Sequence, residues 1–303
     1  MGSYRRLGAL ALAAGAVFSC SPIASADPLF SDPGESLTNY TIVQDARTTA
    51  NSIDYGALGI PEAPGTVANS TQAKTGIQLT ANKGAGTATV TGLNLVLGST
   101  PQTFSGVHTL EFYVWMNVPS GASFTTEDFV AGVARSSASA AIYGNWRSSR
   151  GNGAWTLLSG DNNLTTDYRQ LNNGSADVGY GDENANLSGK LNAAFTNDLG
   201  GLRNEAANEW VKVDIVLDPT AATPTASVYM NDVLFSSDTS TNTSGYAWFG
   251  YEDPASSIGT DGISGIFDNV QVLPGNAVPE PTSLAAVVLG GLALIGGRRR
   301  RHA

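Results

Sequence analysis

The sequence contains almost no cysteine or histidine, and this scarcity excludes several kinds of site. Its 303 residues include one cysteine, Cys20, and two histidines, His108 and His302. Residues 27–277 therefore hold no cysteine and only His108, so they can form neither a disulfide framework nor a Cys-His catalytic pair nor a multi-histidine zinc site. Because no nucleophile motif accompanies His108, we expect it to be an exposed or hydrogen-bonded histidine at the end of a strand.

Basic residues are also few, and many of them lie at the two ends of the chain. Six of the 16 Lys and Arg residues fall within residues 1–26 and 278–303, which contain only one of the 26 acidic residues. Residues 27–277 keep 10 basic and 25 acidic residues, which is a formal charge of −15. Such a surface repels phosphate backbones and anionic lipid headgroups. We therefore expect no nucleic-acid partner.

The N-terminal segment has the features of a secretory signal peptide. Arg5 and Arg6 precede an apolar stretch over residues 7–18, and Ala24 and Ala26 form the small-x-small pattern that a signal peptidase accepts. These features predict cleavage after Ala26. Lipidation of the single cysteine and twin-arginine export are alternatives, but the residues around each motif match them poorly.

Helical periodicity is almost absent from residues 27–277, and short alternating runs take its place. The segment HTLEFYVWMNV alternates with period two, so one face carries Leu110, Phe112, Val114 and Met116. The opposite face carries Glu111, Tyr113, Trp115 and Asn117. The segment WVKVDIVL alternates in the same way, with apolar residues at 211, 213, 215 and 217 and, on the other face, Lys212, Asp214 and Val216.

Turn residues separate these runs and predict hairpins. ASVYMNDVLFSS is predicted to turn at Asn231 and Asp232, and AIYGNWRSSRGNGAWTLLSG at residues 150–153. Residues 191–208 are the one candidate helix or loop excursion. Many short strands with Gly and Asn turns predict an all-β fold, a single two-layer antiparallel β-sandwich (jelly roll) over residues 27–277.

Residues 278–303, VPEPTSLAAVVLGGLALIGGRRRRHA, form a separate C-terminal segment. The apolar run over residues 283–297 predicts a membrane helix of about 22 Å, shorter than the roughly 30 Å of a bilayer core. The arginine cluster that follows this run favours the cytoplasmic side of the membrane, which would place residues 27–277, the body of the protein, on the other side. It consists of Arg298, Arg299, Arg300 and Arg301.

This tail resembles the PEP-CTERM sorting signal of Gram-negative bacteria, which combines a Pro-Glu-Pro stretch, a short apolar helix and an arginine cluster. The matching stretch is Val278, Pro279, Glu280 and Pro281. The resemblance implies passage through the export machinery, transient anchoring in the inner membrane with the body on the periplasmic side, and recognition by an exosortase-type transpeptidase. It further implies cleavage near residues 278–281 and delivery to the cell surface or extracellular matrix in association with exopolysaccharide.

The body resembles PEP-CTERM proteins with a laminin-G-like, concanavalin-type jelly roll. The matching segments are SIDYGALGIPEAP, TGIQLTANKGAG, FSGVHTLEFYVWMNV and FGYEDPASSIGTDGISGIFDNVQV. From this resemblance and the missing catalytic motifs, we expect an exported, non-enzymatic surface or matrix protein.

Carbohydrate binding is the second hypothesis, because aromatic rings, amides and carboxylates on one sheet face can hold the C–H faces and hydroxyls of sugars. The candidate stripe is Glu111, Tyr113, Trp115 and Asn117, joined by Trp248, Trp146 and Tyr251 if their strands are neighbours. Alternatively, these rings are good strand formers that lie in the core or under a covering loop. A glycosidase is the third hypothesis, but the alternating Glu-Asp-Glu run of laminarinase-type enzymes is missing.

The segment EDPASSIGTDGISGIFDNV is a candidate site for structural calcium. Calcium takes about six to eight oxygen ligands, and Asp253, Asp261 and Asp268 are interleaved with Gly and Ser residues that can bring carbonyls close. The spacing differs from an EF-hand, and the same aspartates can instead cap turns without a metal. Both interpretations stay open.

Overall fold

A computed structural model describes residues 27–65, 74–81, 90–119, 127–139, 152–159, 168–172, 190, 193–196, 206–253 and 262–275. The described strands are β1 (Phe30–Asp32), β2 (Tyr40–Gln44), β3 (Thr49–Asp54), β4 (Thr75–Thr80), β5 (Thr91–Leu97), β6 (Thr103–Ser105), β7 (His108–Asn117), β8 (Asp128–Arg135), β9 (Ala154–Ser159), β10 (Tyr168–Asn172), β11 (Trp210–Asp218), β12 (Thr225–Met230), β13 (Val233–Thr239), β14 (Ser244–Asp253) and β15 (Ser264–Pro274). Short 3₁₀ turns occupy Leu37–Asn39 and Tyr55–Leu58.

The strands form two antiparallel sheets, which confirms the predicted two-layer β-sandwich. The eight-stranded sheet has the order β13-β12-β11-β7-β15-β4-β3, with β1 also paired to β15. The seven-stranded sheet has the order β10-β9-β8-β14-β5-β2, with β6 also paired to β14. Strands that are distant in sequence are neighbours in both sheets, so the sandwich is held together by long-range pairing.

The core lies between the two sheets, and β7 shows how the sequence builds it. The predicted apolar face of β7 is 0% exposed at all four positions, and so is the predicted apolar face of β11. The ring of Phe112 packs on Phe249 of β14, with centroids 5.9 Å apart, and on Phe267 of β15, at 5.7 Å. Burial of side chains of this size contributes about 1.5–3 kcal/mol each, so the period-two alternation fixes which face of β7 points inward.

The predicted hairpin at Asn231 and Asp232 is confirmed. These two residues connect β12 to β13 with φ values of 47° and 63°. Positive φ at both central positions is the requirement of a type I′ turn, and Asn and Asp tolerate this conformation better than most residues.

The predicted hairpin at residues 150–153 is wrong in its pairing. β9 begins at Ala154, directly after the predicted turn, but it pairs with β8 along one edge and with β10 along the other. A strand has only two edges, so β9 takes both partners from elsewhere in the chain. Residues 140–151 lie outside the described part of the protein.

Helical structure is scarce in the described residues. In the candidate excursion over residues 191–208, positions 193 and 194 are helical, and residues 206–208 are not. No helix in the described part of the chain has the length and apolar character needed to cross a membrane. The predicted signal peptide with Ala24 and Ala26, and the tail with its helix over 283–297, lie outside the described residues.

His108 begins β7 as a buried, hydrogen-bonded residue. It is 0% exposed, and its Nδ1 lies 2.9 Å from the carbonyl oxygen of Gly106. Its Nε2 is buried without a hydrogen-bond partner among the described residues. Burial lowers the pKa of His108 and outweighs the opposing effect of the Gly106 carbonyl. The folded protein therefore favours the neutral imidazole, with Nδ1–H donating a hydrogen bond to the Gly106 carbonyl.

We predict that His108 makes the protein less stable as the pH falls below about 6.5, the ordinary pKa of histidine. Below this pH, His108 binds a proton more readily in the unfolded chain than in the folded protein, so the free energy of unfolding decreases. His108→Asn keeps a donor for Gly106 but cannot titrate. Urea unfolding between about pH 5 and 7.5 should give a shallower pH dependence for the variant than for the native protein. Identical slopes for the two proteins would contradict this account.

Candidate functional site

The predicted stripe of Glu111, Tyr113, Trp115 and Asn117 lies on the outer face of the eight-stranded sheet. All four side chains are partly exposed, whereas the residues that alternate with them are buried in the core. β7 lies between β11 and β15, so side chains from both neighbours flank the stripe. Tyr113 is opposite Lys212 of β11, and Trp115 is opposite Trp210. The stripe is therefore neither in the sandwich core nor on an isolated strand.

Residues 55–65, which we call the strap, cross this outer face after β3. Asp54 caps the first turn of the strap by accepting a hydrogen bond from the Ala57 amide at 3.3 Å. Farther along, Trp210 Nε1 donates to the Pro61 carbonyl at 2.7 Å. Asn269 Nδ2 donates to the Pro64 carbonyl at 3.1 Å. The strap thus binds to β11 and β15, on both sides of β7.

Under the strap, Trp115 belongs to a small apolar cluster. Tyr55, Ile60 and Ile266 form the buried centre of this cluster, and Trp115 and Trp210 pack against it. The two indole rings meet edge to face, with centroids 5.7 Å apart. Trp115 is consequently covered by a loop and does not offer an open ring face. This arrangement matches the covering-loop alternative for this residue.

One hydrogen-bond chain fixes the strap to the sheet. The Tyr55 hydroxyl donates to Asp268 Oδ2 at 2.7 Å and accepts from the Ala63 amide at 3.2 Å. Burial raises the pKa of Asp268 to about 7, although the hydrogen bond from Tyr55 opposes this effect. Burial likewise raises the pKa of Tyr55. Tyr55 therefore satisfies a buried carboxyl group while it anchors the strap.

The three aspartates of the candidate calcium site do not form a common group in the described residues. Asp268 lies in the eight-stranded sheet and accepts hydrogen bonds from Tyr55 and from the Asn269 amide, whereas Asp253 ends β14 in the other sheet. Asp261 lies outside the described part. Across that part, no three His, Cys, Asp or Glu side chains are arranged to hold a metal ion. A calcium site that includes Asp261 stays a prediction.

Beside the strap, the outer face carries a polar cluster centred on Lys212, which we call the lysine patch. Lys212 Nζ lies 3.1 Å from Asp214 Oδ2, 3.2 Å from Glu111 Oε2 and 3.3 Å from Asp232 Oδ1. The other members of the patch are Tyr113 and Gln271, and Gln271 Nε2 donates to Glu111 Oε1.

The hairpin between β12 and β13 positions Lys212. Asn231 Oδ1 accepts a hydrogen bond from the Lys212 amide at 2.9 Å, and the Asn231 amide donates to the Lys212 carbonyl at 2.9 Å. The same turn brings Asp232 to the edge of the patch, where its side chain is 60% exposed. The left-handed turn conformation thus supplies one of the three carboxylates.

The electrostatics of the patch follow from burial. Asp214 has a side chain that is 1% exposed, and burial raises its pKa to about 7. Lys212 opposes this shift, whereas the charge of Glu111 increases it. For Lys212, burial would lower the pKa, but the attraction of Asp214, Glu111 and Asp232 outweighs burial and raises it. The lysine therefore stays charged, and Asp214 is poised to lose its proton near neutral pH.

Glu111 and Asp214 are an acidic pair, but their arrangement does not suit glycoside hydrolysis. They face each other across β7 and β11, and Lys212 bridges them. Glycosidases place a sugar between two accessible carboxyl groups, about 5–9.5 Å apart depending on the mechanism. The Asp214 carboxyl group is too buried to contact a substrate. The patch can accept hydrogen bonds at its rim and attract a cation.

Of the other predicted aromatic residues, Trp248 and Tyr251 do not join the stripe. Trp248 and Tyr251 lie on β14 in the seven-stranded sheet, which contains no neighbour of β7, and Tyr251 points into the core. Trp146 lies outside the described residues. The prediction that Trp248 extends the stripe is therefore wrong. The sequence does not indicate which of the two sheets contains β14.

Trp248 instead packs with Trp155 on the outer face of the seven-stranded sheet. Each of these two indoles is 1% exposed, and their cluster also contains Val96, Val130 and Leu157. Gly132 makes this packing possible, since a Cβ there would lie 2.8 Å from Trp155 Cβ and 2.9 Å from Trp248 Cε2. Nearby, Asp128 and Glu252 pair across β8 and β14 and are also buried.

The sequence interpretation of the stripe missed its partners Lys212, Asp214, Asp232 and Gln271. A signal was present for two of them, because WVKVDIVL places Lys212 and Asp214 on its polar face. The sequence did not indicate that β11 lies beside β7 with Asp214 opposite Glu111. Asp232 and Gln271 depend on the turn geometry and on a register shift in β15 between positions 268 and 271.

Comparisons with known proteins find similarity to solved structures but not to protein families. No protein-family model and no curated protein matches the sequence. An endo-β-1,4-glucuronan lyase from the fungus Trichoderma reesei is 12% identical, over 83% of this chain and 98% of that one, with a TM-score of 0.49. The carbohydrate recognition domain of Emp46p, in both metal-free and potassium-bound forms, is 12% identical over 82% and 100% of the chains, with a TM-score of 0.39. Carbohydrate-binding module CBM66 from Bacillus subtilis is 12% identical over 76% and 99%, with a TM-score of 0.36.

We predict that Tyr55→Phe destabilises the protein by about 1–3 kcal/mol, the cost of leaving a buried polar group without its partner. The loss should be larger at about pH 8.5 than at pH 5, because Asp268 is ionised only above its raised pKa and then needs the Tyr55 hydroxyl most. Urea unfolding at the two pH values measures both effects. Tyr246→Phe, on the other sheet, is the matched control, and equal small effects of the two substitutions would contradict the anchoring role of Tyr55.

Proposed function

We propose that this protein is an exported, non-enzymatic polysaccharide-binding β-sandwich whose C-terminal tail sorts it to the cell surface. Polysaccharide binds on the outer face of the eight-stranded sheet, at the lysine patch. The observation that carries this proposal is the patch itself, because it combines fixed carboxylates, an amide, a lysine and the ring of Tyr113 on one partly exposed sheet face.

The geometry of the patch supports binding in three ways. Glu111 and Lys212 keep 12% and 17% of their side chains exposed, so both can contact a ligand at the rim. Their positions are fixed by cross-strand partners, which reduces the entropy lost on binding. Tyr113 stands between Lys212 and Asp268 in the sheet register and supplies an apolar ring beside the polar groups. Trp115 has a supporting role, because it packs under the strap next to Tyr113.

A non-enzymatic role fits the same residues. The three carboxyl groups of the patch all contact Lys212, and the most buried of them is that of Asp214. Catalysis of glycosidic bond cleavage needs a proton donor that reaches the leaving oxygen. Because Lys212 engages each of these carboxyl groups and Asp214 is buried, the patch suits recognition better than proton donation.

The sorting part of the proposal rests on residues 278–303. The two prolines of their Val-Pro-Glu-Pro stretch disfavour a helix, so the sequence predicts an extended segment for a processing enzyme. In this proposal, the predicted short apolar helix and the four arginines hold the chain in the inner membrane until it is cut. An exosortase-type transpeptidase is the partner that this arrangement fits, and exopolysaccharide is the ligand that the released body meets outside.

We predict that Tyr113→Ala weakens binding of the purified full-length protein to its polysaccharide by about tenfold, which corresponds to one aromatic contact. Affinity electrophoresis and pull-down with a panel of bacterial matrix polysaccharides measure this loss. Tyr246→Ala on the seven-stranded sheet is the control and should bind like the native protein. Thermal unfolding checks that both variants are folded. No binding of the native protein to any polysaccharide would refute the proposed activity.

We predict that the sorting signal controls where the protein accumulates. Deletion of residues 298–301, or replacement of Pro279, Glu280 and Pro281 by alanine, should leave the body held in the membrane or mislocalised. Cell fractionation with an antibody against the body measures the distribution. Replacement of Thr282 by alanine, just beyond the motif, is the control. An unchanged cellular distribution of the deletion and the triple variant would show that the tail does not sort the protein.

A further inference from the structure

The charge of the lysine patch restricts which polysaccharide it can hold. Three carboxyl groups, those of Glu111, Asp214 and Asp232, surround the single ammonium group of Lys212 at 3.1–3.3 Å. Fully ionised, the four groups carry a formal charge of −2. The lysine is already engaged by all three acids, so it is not free to pair with an anionic ligand.

The surrounding strands add no further positive charge. β7, β11, β12, β13 and β15 contain no other lysine and no arginine. Asp268 and Asp218, in contrast, add acidic groups on β15 and β11. Residues 27–277 as a whole carry a formal charge of −15. A uronate or sulfated polymer would therefore meet repulsion at this face, and these five strands offer it no cation other than Lys212.

The patch also keeps unused capacity to accept hydrogen bonds. Glu111 keeps 12% of its side chain exposed at the rim of the patch. Asp232 is 60% exposed, and among the described residues Lys212 is the one side chain with which it forms an ion pair. An ammonium group has three donors and can satisfy such acceptors at the rim of the patch.

We infer that the patch recognises an amine-bearing polysaccharide, one with protonated amino sugars, and this inference rests on the proposed function. The sugar amine takes a place at the rim beside Asp232 and Glu111, where it neutralises the excess negative charge that Lys212 leaves. The sugar ring then lies next to Tyr113. A polymer of the same linkage without free amines lacks this charge contact and binds more weakly.

Binding of β-1,4-linked pentamers to the full-length protein tests the inference. At the same linkage, the protonated glucosamine pentamer is cationic, the N-acetylglucosamine and glucose pentamers are neutral, and the mannuronic acid pentamer is anionic. We expect glucosamine pentamer to bind about tenfold more tightly than the N-acetylated and glucose pentamers at neutral pH and low salt, and mannuronic acid pentamer to bind most weakly. The preference should shrink as salt is raised, because exposed charges are screened.

Asp232→Asn is the key variant, because it removes an exposed charge without emptying the buried part of the patch. It should reduce the preference for the amine by about three- to fivefold, the range of one exposed ion pair. Asp238→Asn removes the same charge from the same hairpin, about 20 Å away along β13, and should have no effect.

The outcomes separate this inference from the proposed function. Equal binding of the glucosamine and glucose pentamers, or tighter binding of mannuronic acid, would overturn the preference for amines and leave polysaccharide binding intact. A preference for glucosamine that Asp232→Asn does not change would overturn the assignment to the patch. Binding of none of the four pentamers by the native protein would count against both proposals.

Discussion

A central strand of a sandwich has two faces, and only one of them can be buried between the sheets. In β7 the inward face is taken by the core residues around Phe112, so Glu111, Tyr113 and Trp115 must be accommodated on the outside. Two groups of residues cover or neutralise these outer side chains. The strap covers the apolar part around Trp115, and Lys212 organises the polar part around Glu111. The proposed binding of polysaccharide depends on this division of one strand.

The two parts of the outer face contribute differently to the stability of the protein. The strap buries Tyr55 and Ile60 against Ile266 and so extends the hydrophobic packing beyond the sandwich core. The lysine patch places charged groups in a partly buried site, where desolvation offsets much of the attraction between them. Apolar residues could fill such a site at similar stability. The proposed role in recognition would explain why Lys212, Glu111 and Asp214 occupy neighbouring strands of the sheet.

Much of the fold could be predicted from the sequence, because alternation with period two is a local property. The faces of β7 and β11 and the turn at Asn231 and Asp232 are examples. Pairing between distant strands is not local, so the sequence did not indicate that β9 joins β8 and β10 or that Trp248 lies on the opposite sheet. The candidate site shows the same limit: Glu111 was identified, but its contacts with Asp214, Lys212 and Gln271 depend on which strands flank β7.

The most direct test of the account is nuclear magnetic resonance titration of the protein with the polysaccharide that it binds. The account predicts chemical shift changes at the backbone amides of Glu111, Tyr113, Lys212 and Asp232, with little change at the indole of Trp248. Changes centred on the seven-stranded sheet around Trp155 and Trp248, with none at the lysine patch, would contradict it.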